Sequence, residues 1–186
     1  MSVQVNEDHG RLEDDAVDVQ ACVRGGSPVR PHGPYRIAIG NDRLEFVQTV
    51  IHDPIPSGRQ VLLEGGFKPV EEHLVFQMLR NGELEELRLD ETTDLRSAGV
   101  EKFLVFRSDK SFRFELDGTR QEWGGPLISG ASLKKLARVD LATYGVWQEV
   151  RQPGAEDRLI ANDVLVDLAA PGVEWFFTGL MQTTEG

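Results

Sequence analysis

The chain of 186 residues carries 31 acidic against 20 basic side chains, a formal charge of −11 that disfavours contact with phosphate backbones or anionic lipid. One cysteine, Cys22, and four histidines, at positions 9, 32, 52 and 73, exclude an internal disulfide and cysteine-ligated zinc or iron–sulfur centres. No apolar run approaches the roughly 20 residues that span a bilayer, and no basic-then-apolar export signal opens the chain, so a cytoplasmic protein without nucleic-acid or membrane partners is expected.

Residues 1–34 read as an acidic arm without fixed structure. Glu7-Asp8 and Glu13-Asp14-Asp15 are followed by a breaker-rich stretch from Gly25-Gly26-Ser27-Pro28 to Pro31-His32-Gly33-Pro34. Cys22 falls in this arm and reads as an exposed free thiol. Alternation then begins: Tyr35, Ile37 and Ile39 share one face of a strand, Gly40-Asn41-Asp42 turns the chain, and Leu44 and Phe46 continue on the return strand. Ser57 and Gln60 have the capping-box spacing and predict a short helix through Val61-Leu62-Leu63 that stops at Gly65-Gly66. Leu74 to Leu79, the leucines between Glu83 and Leu95, and Phe103 to Phe106 supply the remaining strands of a small mixed sheet.

The second half replays this order. Tyr35 through Phe46 aligns without gaps on Phe112 through Trp123, ending each time in a Glu-aromatic pair. Pro54 and Ser57-Gly58 then fall on Pro126 and Ser129-Gly130, ahead of a helix with Leu133, Leu136 and Ala137 on one face and Lys134, Lys135 and Arg138 turned away. Val75-Phe76-Gln77 matches Val146-Trp147-Gln148, and Gly99-Val100-Glu101-Lys102-Phe103 matches Gly172-Val173-Glu174-Trp175-Phe176. The order strand-strand-helix-strand-strand, given twice, predicts an α+β chain of two tandem β-grasp domains, at 35–106 and 107–179, with a flexible tail at 180–186. Phe46, Phe76, Phe103, Trp123, Trp147 and Phe176 are the expected core aromatics.

Enzyme signatures are missing: there is no G-x-S-x-G elbow, H-E-x-x-H pair, P-loop or dinucleotide-binding glycine turn. His52-Asp53 has the look of a base and its orienting carboxylate but stands at a turn without a nucleophile, and the acidic run Glu83 to Asp94 reads as a solvated face rather than a cation site. The expectation is a protein that is not an enzyme and holds neither cofactor nor metal. Attention moves to the end of the chain, where Thr178 to Gly186 leaves the last strand and finishes in Glu185-Gly186, since a glycine end fits a narrow channel in which a carboxylate is to be activated.

The tandem β-grasp copies, the two Gly-Val-Glu-x-Phe strands and the glycine-ended tail together resemble bacterial multiubiquitin-domain proteins, a ubiquitin-like family, over about residues 35–186. The resemblance implies a protein modifier. Its C-terminal carboxylate, at Gly186 beside Glu185 with Gly179 as second candidate, would be adenylated with ATP by an E1-like enzyme of the ThiF type. An E2-like conjugating enzyme would carry it to a target protein, and a JAB-type metalloprotease would remove it. The resemblance also implies a place in bacterial antiphage defence. The junction from Phe106 into Arg107-Ser108-Asp109-Lys110 has no diglycine, so the two domains are expected to stay fused, and Lys68, Lys102, Lys110, Lys134 and Lys135 are the lysines available as acceptors. The competing reading is a non-conjugated tandem β-grasp adaptor that binds a protein partner through a sheet face. A sulfur carrier would use the same glycine end but resembles one domain rather than two.

Overall fold

The structure is a computed structural model and describes residues 15–181. The described chain opens with β1 (Val17–Asp18) and α1 (Val19–Gly25). The first repeat follows with β2 (Tyr35–Gly40), β3 (Phe46–Ile51), α2 (Gly58–Glu64), β4 (His73–Leu79), β5 (Leu84–Leu87) and β6 (Val100–Arg107). The second repeat contains β7 (Phe112–Leu116), β8 (Thr119–Trp123), β9 (Leu127–Ser129), α3 (Gly130–Leu136), β10 (Tyr144–Gln148), β11 (Arg158–Ile160), β12 (Leu165–Asp167) and β13 (Glu174–Leu180).

Each repeat builds the same mixed sheet. In the first, β3 pairs β2, β2 runs parallel to β6, and β4 and β5 complete the order. In the second, the order is β8-β7-β13-β10-β11, with β7 parallel to β13. Antiparallel hairpins flank a central parallel pair that needs a crossover, and the helix supplies it. These are two β-grasp domains. The helices have only seven residues each, too few to stand alone in water, so burial holds them: Val61 and Leu62 in α2, Leu133 and Leu136 in α3.

The helix starts follow from their serines. Ser57 Oγ accepts the Gln60 N–H at 3.2 Å while Gln60 Oε1 accepts the Ser57 N–H at 2.8 Å, completing the expected capping box. Ser129 Oγ accepts the Ser132 N–H at 3.0 Å. The glycine after each serine is required by space: a Cβ at Gly58 would collide with the Arg88 carbonyl, and one at Gly130 with the Ala161 carbonyl. Asp53, read with His52 as part of a turn, accepts the Ile55 N–H at 2.8 Å and a Gln60 side-chain N–H at 2.9 Å, which hold its carboxyl below the usual range. It anchors the start of α2.

Three expectations are corrected. The stretch 15–34 is built into the first domain, although residues 1–14 of the expected arm lie outside the described residues. Val17 pairs in parallel with Tyr35, Asp18 caps α1 by accepting the Ala21 N–H, and Val17, Val19 and Val29 are buried with Ile37, Ile39 and Leu62. Cys22 is partly buried against that core rather than exposed. Valines spaced among acids and glycines carry this packing without forming a continuous apolar run.

Second, the two hairpins do not align without gaps. Gly40 faces Phe46 across a five-residue connection, Asn41 to Glu45, whereas Leu116 faces Thr119 across Asp117-Gly118. The structural equivalent of Trp123 is therefore Ile51, and that of Val47 is Thr119. The matching Glu-aromatic pairs fall at different register positions, and the length difference lies in the turn. Third, Phe46 and Trp147 are only partly buried, unlike Phe76, Phe103, Trp123 and Phe176: both point to the sheet face opposite the helix, where the second domain buries Phe76 but leaves these two partly open.

Candidate functional site

The two sheets join edge to edge. Leu84 of β5 pairs in parallel with Gln121 of β8, Gln121 donates a side-chain N–H to the Gly82 carbonyl at 3.0 Å, and the Glu86 N–H donates to the Glu122 carboxylate at 3.0 Å. The Glu122 side chain thus extends a seam with one registered backbone pair. Beside it lies an open groove of about 790 Å³ bordered by Glu83, Glu85, Glu86, Glu122, Arg113 and Arg120. Among the described residues, no group of three or more His, Cys, Asp or Glu side chains is placed to hold a metal ion.

The second domain also packs across the first. Phe76, Met78, Leu104 and Phe106 share one apolar cluster with Trp123, Leu133 and Leu136, and the Phe106 and Trp123 rings meet edge-on with centroids 4.7 Å apart. Two of the residues expected on the outward side of α3, Lys135 and Arg138, join Ser132 in the polar half of this contact. Lys135 Nζ donates to the Arg43 carbonyl at 2.7 Å, and Ser132 Oγ donates to the Asp42 carbonyl at 2.8 Å. Both carbonyls belong to the long hairpin turn that the second repeat lacks. Lys134 is buried and donates to the Leu141 carbonyl.

Arg138 completes the clamp. It donates to the Leu79 and Arg80 carbonyls and, through both terminal nitrogens at 3.3 Å, to Glu101, whose side chain is 1% exposed. Arg24 of α1 reaches the same carboxylate at 3.1 Å. Arg138 holds φ +60°, at the position occupied by Gly66 (φ +80°) after the first helix. A non-glycine residue there costs roughly 1–2 kcal/mol, a cost the Glu101 and carbonyl contacts offset.

These contacts cover the first domain's open sheet face and, among the described residues, leave the equivalent face of the second domain bare. Trp147 and Phe177 occupy the strand positions of Phe76 and Leu104. Phe76 and Leu104 are 0% exposed, while Phe177 is 38% exposed and stacks on Trp147 with centroids 5.7 Å apart at 10°. Leu159 of β11 stands opposite Trp147 and is exposed, and the Arg151 guanidinium lies 3.6 Å over the Trp175 ring. The repeat match to Phe76 predicts Trp147 as a core aromatic, but the cover that buries Phe76 comes from the following domain.

Gly179 is a ladder residue. It pairs with Gly145, and the Trp147 ring lies against both: a Cβ at Gly145 would fall 2.5 Å from the ring and one at Gly179 3.3 Å. The strand continues through Leu180, one residue past the boundary expected for the tail, and the Met181 N–H donates to the Thr143 carbonyl at 2.9 Å. Thr178 is held at the Asp117 carboxylate by its N–H at 2.7 Å and its hydroxyl at 2.9 Å. Glu185 and Gly186 lie outside the described residues. Of the five lysines, Lys68 and Lys110 are exposed, whereas Lys102 is half-buried with its ammonium 4.1 Å from the Phe46 ring centroid, and burial pushes its pKa down.

No helix among the described residues is long and apolar enough to cross a membrane. Compared with known proteins, the chain matches the family described as Multiubiquitin twice, over residues 43–108 and 112–180. A search of the curated proteins finds no match.

Proposed function

The chain belongs to the multiubiquitin family, a ubiquitin-like protein of two tandem domains, and we propose that it is a bacterial protein modifier conjugated through its C-terminal glycine. An E1-like enzyme joins the Gly186 carboxylate to the α-phosphate of ATP, releasing pyrophosphate. A thiol then displaces AMP, and an E2-like enzyme passes the acyl group to a nucleophile on the target protein. A JAB-type metalloprotease hydrolyses the resulting bond. All catalysis resides in these partners, and the chain works in the cytoplasm without cofactor or metal of its own, in antiphage defence.

The observation that carries this reading is the asymmetry between the repeats. The first domain's last strand, β6, runs directly into the second domain and its open sheet face is covered, whereas β13 is the strand that leads toward Gly186 and its sheet face is bare. A fused block with one reactive end and one free recognition face suits a modifier handled as a unit. Gly179, held between Thr178 and Leu180 in the ladder, serves packing; a chain ending there would place its carboxylate inside the sheet rather than on a segment able to enter a channel.

The exposed Trp147–Phe177 face favours a second reading, a non-conjugated adaptor. N-terminally tagged protein, expressed in its native host as the intact chain and without Gly186, separates the two. Heavier covalent species on denaturing gels that vanish with Gly186, with branched peptides ending in that glycine by mass spectrometry, support the modifier. Absence of heavier species in the intact chain, with the neighbouring genes expressed and the host stressed, overturns it and leaves the adaptor.

A further inference from the structure

Two sets of exposed large apolar side chains stand out beside Leu127 and Leu165 of the β9–β12 pair. One comprises Val47, Ile55 and Leu63 around β3 and α2 of the first domain; the other lies on the second domain and includes Leu159, Phe177 and Leu180. Each region has an equivalent inside the chain. The Trp147–Phe177 face corresponds to the Phe76–Leu104 face, which the β8 and α3 side of the following domain covers. The β3 and α2 side corresponds to that covering side: Leu63 occupies the helix position of Lys135, the residue that grips the Arg43 carbonyl across the seam. Within one chain, then, the open face of one repeat receives the β8 and α3 side of the next. At the two ends of the sheet the same kinds of surface are apolar and, among the described residues, unoccupied.

The strand edges show the same correspondence. β5 joins β8 at the seam; β11, its counterpart, and β3, the counterpart of β8, are the free edges at opposite ends of the sheet. β3 reads Phe-Val-Gln-Thr-Val-Ile, six residues without a charge or proline, whereas natural free edges are usually guarded by such residues. Glu86, whose backbone N–H donates to the Glu122 carboxylate at the seam, is replaced at the equivalent position of β11 by Leu159, so an apolar side chain stands where the seam carries a charged one.

We propose that a second copy of this chain occupies the Trp147–Phe177 face, docking through its own β3 and α2 side so that the seam within the chain is repeated between chains. The contact is heterologous: the two surfaces differ, so each molecule offers one of each and association runs head to tail. It lacks counterparts of Arg138 and Glu122, since Gly66 and Val50 stand at those positions, and so forms a weaker contact than the internal seam. With each copy at −11, added salt screens the repulsion and strengthens an apolar contact.

The test uses the full chain in sedimentation experiments over a concentration series. The wild type is expected to rise above the mass of one chain with concentration, and further with salt. Phe177→Asp, at the position of the covered Leu104, blocks one surface, and Leu63→Asp blocks the other. Each variant alone is expected to stay single while retaining the wild-type unfolding midpoint, and a mixture of Phe177→Asp with Leu63→Asp is expected to form pairs and nothing larger. A wild type that stays single at every concentration overturns the proposal and leaves the face to another protein. Oligomers that survive both variants, or a mixture that does not pair, overturn it as well.

Discussion

Replacing Glu101 by alanine removes the carboxylate on which α1, the first sheet and the second domain converge. Its side chain is 1% exposed and receives Arg24 at 3.1 Å and both terminal nitrogens of Arg138 at 3.3 Å. Breaking a buried ion pair by deleting one member usually costs about 3–5 kcal/mol, because the remaining charge is stranded. Here the stranded arginines are 51% and 37% exposed and regain water, so about 2–3 kcal/mol is expected. For a chain of this size that corresponds to a fall in Tm of about 5–10 °C. Scanning calorimetry reads it, and Arg138→Ala, which releases the second domain but leaves Arg24 in place, should divide a single endotherm into two. A fall below about 2 °C for Glu101→Ala, or no coupling between Glu101 and Arg138 in a double-mutant cycle, would refute the clamp.

Gly58→Ala and Gly130→Ala each push a Cβ into a backbone carbonyl that cannot swing aside, so each should cost about 1–3 kcal/mol in urea unfolding, against a few tenths for Gly66→Asn at an open left-handed position. Asp94 is gripped by the Arg96 guanidinium, with both contacts at 2.8 Å, and by the Arg96 backbone N–H, which lower its pKa from 3.8 to about 2. The folded chain therefore binds fewer protons there than the unfolded one, and this contribution, full above pH 4, is lost as pH falls from about 4 to 2. Melting curves across that window should be less steeply pH-dependent for Asp94→Asn, and an unchanged slope would assign the acid sensitivity to other carboxylates.

What the sequence disclosed is what depends on short-range pattern. Alternation placed Tyr35, Ile37 and Ile39 on the core face, and the serine cap at 57, carried by the repeat to Ser129, located α2 and α3, because capping chemistry acts over three residues. The repeat disclosed the fold, since each copy must solve the same burial problem. The seam was not legible. Lys134, Lys135 and Arg138 read as a solvated helix face, and only tertiary contact shows that their partners are Leu141, Arg43 and Glu101, of which the last two lie in the other domain. Trp147 was misplaced for a related reason: a strand apolar on both faces does not say which face will be covered.

The places where the two repeats differ explain why they are not interchangeable. The first has the longer hairpin turn, whose Asp42 and Arg43 carbonyls receive α3, and the second has the Ser132 hydroxyl and the Lys135 ammonium that reach it. The Leu74–Phe106 pair of the first open face becomes Gly145–Gly179 in the second, and the Trp147 ring settles over the space so released. Arg138 accepts a left-handed backbone where its counterpart is glycine, a cost with no return unless Glu101 lies across the seam. A chain of independent beads would have no use for these changes. They bind the domains into one body and leave the recognition face of the second turned outward, on the domain whose last strand leads to the proposed reactive glycine.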